Sequence, residues 1–213
     1  MAKKELEKRS YYFEVRAEQD ENGEKIITGR PIVYNSRTDI GYFFDIIEVG
    51  ALDGADLTDV RFLVNHNTDM IPLDRSRRNN GYSTMQLTVD YKGLTIRVRL
   101  DVENNADARA LYSAVQRGDI TGMSFMFSID DEEWENLESD HPTRHIRKIG
   151  SVVEVSAVTF PAYESTEINA RSKVALDNAR SVVDTARQQR EQSVETDSEL
   201  ELAKAKFKFM TSL

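Results

Sequence analysis

Three residue types that together hydrolyse acyl bonds fall on or beside apolar runs of this 213-residue chain. Ser124 lies in Gly122-Met123-Ser124-Phe125-Met126-Phe127, just after a Gly-Met turn. His66 closes Phe62-Leu63-Val64-Asn65-His66-Asn67. Glu154 is the carboxylate in Val152-Val153-Glu154-Val155-Ser156. A serine hydroxyl is a weak nucleophile until a base takes its proton, and neutral imidazole can do so near pH 7. A carboxylate on the other imidazole nitrogen would fix the tautomer and stabilise the imidazolium. A carboxylate among valines is also costly to bury without a partner, which an imidazolium would supply.

Each residue has a plainer reading. Ser124 could bond a neighbouring carbonyl, with Ser128 its rival four residues on. His66 could be a loop histidine bonded to Asn65 or Asp69. Glu154 could face solvent on an edge strand, because alternate strand residues face opposite ways. His141 and His145 complete the three histidines and keep the third catalytic position open. Their segment, His141-Pro142-Thr143-Arg144-His145, reads as a polar surface loop. Its His-x3-His spacing is a weak zinc signal, since Pro142 opposes a helix and no third ligand follows. Asp130 to Glu133 lacks the glycine and spacing of a calcium loop and reads as a solvated strand end or turn. Trp134 either covers the core or lines a substrate groove. No cofactor and no metal are expected.

The Gly122–Phe127 run, the Val153–Tyr163 run (VEVSAVTFPAY) and the Leu63–Asn67 context of His66 together resemble the prohead (head-maturation) proteases of tailed bacteriophages, over roughly residues 10–170. That family is similar in fold to the herpesvirus assembly proteases, a small β-barrel with a serine nucleophile. The resemblance implies Ser124 as nucleophile, His66 as base and Glu154 as third member, although the herpesvirus relatives use a second histidine there. It implies a serine endopeptidase that cleaves scaffold, or the scaffold-like segment of the major capsid protein, and itself. Its site of action would be the host cytoplasm, inside the immature capsid. The alternative is a non-enzymatic capsid assembly factor. A metal-dependent hydrolase is a third option, distinguished by sensitivity to chelator.

Composition sets limits. The net charge is −9 and the pI about 5.0, which argues against a nucleic-acid partner reached through a basic surface. Arg75, Arg77 and Arg78 form one short basic cluster, expected in a solvated loop. The absence of cysteine excludes disulfides, thiolate catalysis and cysteine-bound zinc, and fits a reducing cytoplasm. Met1-Ala2-Lys3-Lys4-Glu5 carries no signal-peptide run, and no apolar stretch nears the roughly 20 residues of a membrane helix.

The elements that would position these residues are mostly strands. Tyr11–Glu18 and Lys25–Tyr34 flank Asp20-Glu21-Asn22-Gly23, a hairpin signal. Phe43–Val49 and Val60–Asn65 follow. Met85–Tyr91 and Leu94–Val102 alternate across Lys92-Gly93, a second hairpin. Asn104-Asn105 and Gly118 bracket a helix over 106–117, with Leu111, Ala114 and Val115 on one face. Met123–Ile129 and Arg147–Phe160 complete the set. The expectation is a mostly β fold with some α: a small antiparallel β-barrel with one or more packed helices, over residues 1–170. Backbone amides near Gly122, or in the Arg75–Gly81 loop, are candidate oxyanion donors.

Residues 171–213 read as a helical or flexible C-terminal segment. Leu176, Ala179, Val183 and Ala186 share a helical face, Gln192–Ser198 is a polar linker, and Leu200, Ala203, Phe207 and Met210 repeat the spacing. Short amphipathic helices are marginal alone, so docking on capsid or scaffold subunits, or self-association, is expected of them.

Overall fold

The computed structural model describes residues 6–11, 15–160, 172–185 and 187–188. Compactness divides the chain into two units, Met1–Ser172 and Lys173–Leu213.

The first unit is mostly β. Its strands are β1 (Glu7–Tyr11), β2 (Val15–Gln19), β3 (Lys25–Val33), β4 (Thr38–Asp39), β5 (Phe44–Ile47), β6 (Asp59–Val64), β7 (Asp74–Arg77), β8 (Met85–Asp90) and β9 (Gly93–Leu100). Helix α1 (Ala106–Arg117) precedes β10 (Gly122–Glu135) and β11 (Thr143–Val158). A four-stranded sheet runs β2-β3-β9-β8, and a seven-stranded sheet runs β1-β10-β11-β5-β4, with β6 joined to β11 and β7. Among the described residues these pairings form two sheets and no closed ring of strands.

Local chemistry accounts for the turns. Asp20 Oδ1 accepts from the amides of Asn22 (3.0 Å) and Glu24 (2.9 Å), and Gly23 takes the positive φ (+81°) that closes the β2–β3 hairpin. At the β8–β9 hairpin, Gly93 (φ +134°) lies against the Ile32 carbonyl, where a Cβ would collide with backbone. Asn105 caps α1 by accepting from Asp107 N (2.9 Å) and Ala108 N (3.2 Å), and Gly118 ends it in the left-handed conformation. Ala108, Leu111 and Val115 are the buried face of α1, so Ala108 rather than Ala114 completes it. They join one core with Ile27 and Ile32 of β3, Leu94 and Val98 of β9, Phe62 of β6, Phe125 and Phe127 of β10, and Val155 of β11.

Three expectations need correction. The large sheet is mixed: β11 pairs in parallel with β5 through its first half and with β6 through its second. Arg75 and Arg77 belong to a strand, and Arg75 forms an ion pair with Asp59 (2.6 Å) on the neighbouring strand. The segment from Thr143 onward is strand, so His145 is not in a loop, and β10 continues through the acidic residues to Glu135. Four consecutive exposed carboxylates, Asp130 to Glu133, carry no apolar alternation, so periodicity ends that strand too early. Trp134 packs edge-on against Phe43, with ring centroids 4.7 Å apart.

Residues 172–185 are helical, which covers Leu176, Ala179 and Val183 of the amphipathic pattern. The linker 192–198 and the repeat from Leu200 to Met210 lie outside the described residues. No helix among the described residues is long and apolar enough to cross a membrane.

One buried carboxyl makes the fold pH-sensitive. Asp74 is 5% exposed, and among the described residues its Oδ2 has no hydrogen-bond partner. Burial pushes its pKa up to about 7, against the amides of Arg75 and Arg99 and the Arg99 charge. The folded state therefore holds this proton where the unfolded chain, with an aspartate near 3.9, has lost it. The contribution is fully present below about pH 4 and disappears as pH rises through about 7, on the order of 4 kcal/mol in all. Asp74→Asn should flatten the pH dependence of urea unfolding over that window, and should be more stable than wild type at pH 8 but not at pH 5. Equal midpoints at pH 8 would mean that Asp74 is ionised and satisfied there.

Candidate active site

The centre of the large sheet brings three strands side by side. Ser124 of β10 pairs with Ser156 of β11, and Ala157 of β11 pairs with Val64, the last residue of β6. His66 lies two residues past that end, so the sheet register delivers it beside Ser124. Asn65 and His66 both take positive φ, +51° and +56°. That conformation is uncommon for non-glycine residues and is retained where surrounding contacts hold it. Asn65 N donates to Ala157 O (2.9 Å), its side chain donates to Thr159 Oγ1 (3.1 Å), and it accepts from Thr159 N (2.9 Å). The His66 amide donates to Ser156 Oγ at 3.1 Å.

The side chains form one line. His66 Nε2 lies 2.5 Å from Ser124 Oγ, and His66 Nδ1 bonds Glu154 Oε1. Glu154 is 3% exposed, and its other oxygen accepts from Ser156 Oγ at 2.6 Å. Ser156 therefore touches both the carboxylate and the histidine backbone, locking their spacing. The sequence reading passed over Ser156, yet it stands two residues from Glu154, on the same strand face. With Nδ1–H donated to the carboxylate, Nε2 is left as the acceptor facing the serine.

The other candidates lie elsewhere. Ser128 Oγ bonds Ser151 Oγ (3.0 Å). His141 bonds Asp39 (3.2 Å), and His145 bonds Glu48 (3.1 Å) and Glu135 (3.3 Å). Among the described residues no group of three or more His, Asp or Glu side chains could hold a metal ion. The amides of Arg75, Arg77 and Arg78 are bonded to Asp74, Ser83 and Thr58, so they are taken up locally rather than offered to an oxyanion. An open groove of about 480 Å³ flanks the His66 loop, with Val64 and Met70 on one side and Leu111, Ala114 and Ile120 on the other. It is more apolar than polar, suiting side chains of a peptide.

The Ser124 hydroxyl itself is covered. Ser124 has no exposed surface, and Ser10 of β1 is its cross-strand partner on the side away from β11. Ser10 Oγ donates to Ser124 Oγ (2.8 Å), and Ser124 Oγ lies 2.7 Å from the Arg9 carbonyl oxygen, which accepts from it.

Comparison with known proteins gives this geometry a context. A prohead protease of Enterobacteria phage HK97 is 31% identical over 153 residues, covering 70% of this chain and 61% of the relative. The match thus spans about three fifths of that relative's length. Among solved structures, the bacteriophage T4 capsid assembly protease gp21 shares 13% identity at a TM-score of 0.36, over 71% of this chain and 98% of that one. A score that low carries no argument about the fold. The family model for caudovirus prohead serine proteases matches residues 12–180, most of the chain. The chain belongs to the family of caudovirus prohead serine proteases.

Proposed function

We propose that this chain is a serine endopeptidase of phage head maturation with Ser124 as nucleophile, His66 as general base and acid, and Glu154 as the group that orients His66. The observation carrying the proposal is the continuous hydrogen-bonded line from Ser124 Oγ through both ring nitrogens of His66 to Glu154. Family membership supports the reaction class.

In the mechanism, Ser124 Oγ attacks a peptide carbonyl carbon while its proton passes to His66 Nε2. Glu154 stabilises the imidazolium that forms, and Ser156 holds the carboxylate in line. His66 then gives that proton to the leaving amine. Water, deprotonated by His66, hydrolyses the acyl-enzyme and returns Ser124.

The substrate we propose is scaffold or the scaffold-like segment of the major capsid protein, together with this chain itself. The setting is the immature capsid in the host cytoplasm. We assign catalysis to residues 1–170, whose two sheets share one core. The 171–213 segment would dock on capsid subunits or on a second copy of this chain.

The test is co-expression with the cognate capsid protein, wild type beside Ser124→Ala, followed by intact-mass analysis. Trimming of capsid protein or of the chain by wild type alone is the expected result, unaffected by chelator. Identical trimming by both would remove Ser124 from the role. No trimming in assembled proheads would favour an assembly factor instead.

A further inference from the structure

We infer that the edge of β10 beside Ser124 is a docking site for an extended peptide with an acidic residue and, two positions on, a basic one, and that β1 occupies this site in cis. The inference rests on the serine-peptidase reading and names the substrate feature and regulation of that site.

The first observation is placement. Among the described residues β1 is the terminal strand of its sheet, paired only with β10 in the register Glu7 to Phe127, Arg9 to Phe125 and Tyr11 to Met123. Without β1, β10 would present a free edge directly at Ser124, and such an edge accepts an extended peptide through main-chain hydrogen bonds.

The second is the state of the nucleophile. Ser124 has one proton and two close acceptors, His66 Nε2 (2.5 Å) and Arg9 O (2.7 Å). Ser10 adds a donor to its oxygen. A fully buried hydroxyl engaged from the β1 side leaves no approach for a substrate carbonyl carbon. Substrate and β1 therefore exclude one another.

The third is how β1 is held. Glu7 and Arg9 share a strand face and enter a buried ion cluster. Arg9 Nε donates to Asp45 Oδ2. Arg144 donates to Asp45 through Nε (2.8 Å) and Nη2 (3.0 Å), and to Glu7 through Nη1 (2.9 Å) and Nη2 (2.8 Å). Burial alone would raise the Asp45 pKa, but Arg144 and Arg9 outweigh it and hold the carboxyl below the usual range. Arg144 also reaches Glu132 (3.2 Å) and lies over the rings of Phe43 and Trp134. Removing β1 takes one negative and one positive charge, Glu7 and Arg9, out of this cluster. It leaves Asp45 and Arg144 paired, with an Arg144 N–H edge open to a carboxylate and Asp45 Oδ2 open to a guanidinium. Those openings set the acidic-x-basic pattern. An edge strand with only a structural role has no need of such a clasp, because buried ion pairs add little stability over apolar packing.

The experiment uses the full chain and a fluorophosphonate probe, which phosphonylates an activated serine with loss of fluoride. The Glu7→Gln/Arg9→Gln double variant keeps Asp45 and Arg144 paired, and Ser10→Pro breaks the edge pairing without touching the cluster. Both should label at Ser124 about tenfold faster than wild type or more, because wild-type reactivity is limited by the fraction with β1 displaced. A synthetic peptide spanning Glu7–Tyr11 should slow labelling of the double variant, and the same peptide with both charges replaced by glutamine should not. Labelling of wild type and both variants at one rate, above a Ser124→Ala blank, would overturn the cis occupancy while leaving the serine-peptidase reading intact. If nothing labels above the blank, that reading fails, and hydrogen exchange decides the occupancy. Unchanged protection of Met123–Phe127 in both variants overturns it, and lost protection, restored by the charged peptide, upholds it.

Discussion

Ser124→Ala should lower the cleavage rate by at least about 1,000-fold, and adding His66→Ala should cost almost nothing more. The expectation comes from how the two side chains are joined. His66 Nε2 is 2.5 Å from Ser124 Oγ, so in the proposed mechanism the first proton the imidazole takes is that of Ser124, and its later transfers, to the leaving amine and from water, follow only from the attack by that oxygen. Once the oxygen is gone, a base at this position has no proton to take. Two residues working as a unit give non-additive losses, whereas residues supporting separate steps give losses that multiply. The measurement is kcat/KM of the two single variants and the double variant on one peptide, with thermal unfolding as a control for the fold. A double variant slower than both singles by the product of their effects would mean that His66 does not act through Ser124.

That coupling also explains why the structure commits so much to one loop. Asn65 and His66 hold left-handed backbone conformations that cost on the order of 1–3 kcal/mol each. The Asn65 clamp on Ala157 and Thr159 and the Ser156 contact to the His66 amide offset this. The strain turns the imidazole away from the β6 direction and back over β10.

Much of this framework was legible in the chain. The Asn22-Gly23 and Lys92-Gly93 turns, the Asn105 cap and the alternating strands are local signals, set by residues within a few positions of one another. Serine, histidine and carboxylate could be assigned to strands or strand ends in the same way. The parallel pairing of β11 with β5 and β6 was not legible, since nothing local in β11 states which strand lies alongside. β1 was missed for a different reason. Its sequence, EKRSY, has no apolar alternation, because the face it buries carries Glu7 and Arg9. A strand whose buried face is charged reads as a polar tail until Asp45 and Arg144, distant in sequence, are seen beneath it. Ser156 was hidden in the same sense: its role depends on His66 arriving from 90 residues away.

Glu154→Gln should be the most damaging isosteric change in the site, lowering kcat by about 100- to 10,000-fold with little change in KM. Glutamine preserves the volume, so the 3%-exposed position still packs. What changes is the direction of the hydrogen bonds. Glu154 accepts twice, from His66 Nδ1–H and from Ser156 Oγ–H. Glutamine has one acceptor and one donor end. If its NH2 faces His66, the imidazole must carry its proton on Nε2, and the nitrogen facing Ser124 can no longer accept. If its oxygen faces His66, the tautomer survives, but the imidazolium formed during attack has lost its counter-charge. Either way the loss falls on the chemical step. Ser156→Ala should be milder, about tenfold, because the carboxylate keeps its charge and loses only its second partner. His141→Ala and His145→Ala should stay within a few-fold of wild type, because their partners are Asp39, Glu48 and Glu135. A Glu154→Gln variant within about threefold of wild type, beside a crippled His145→Ala, would move the third position of the site to the second histidine.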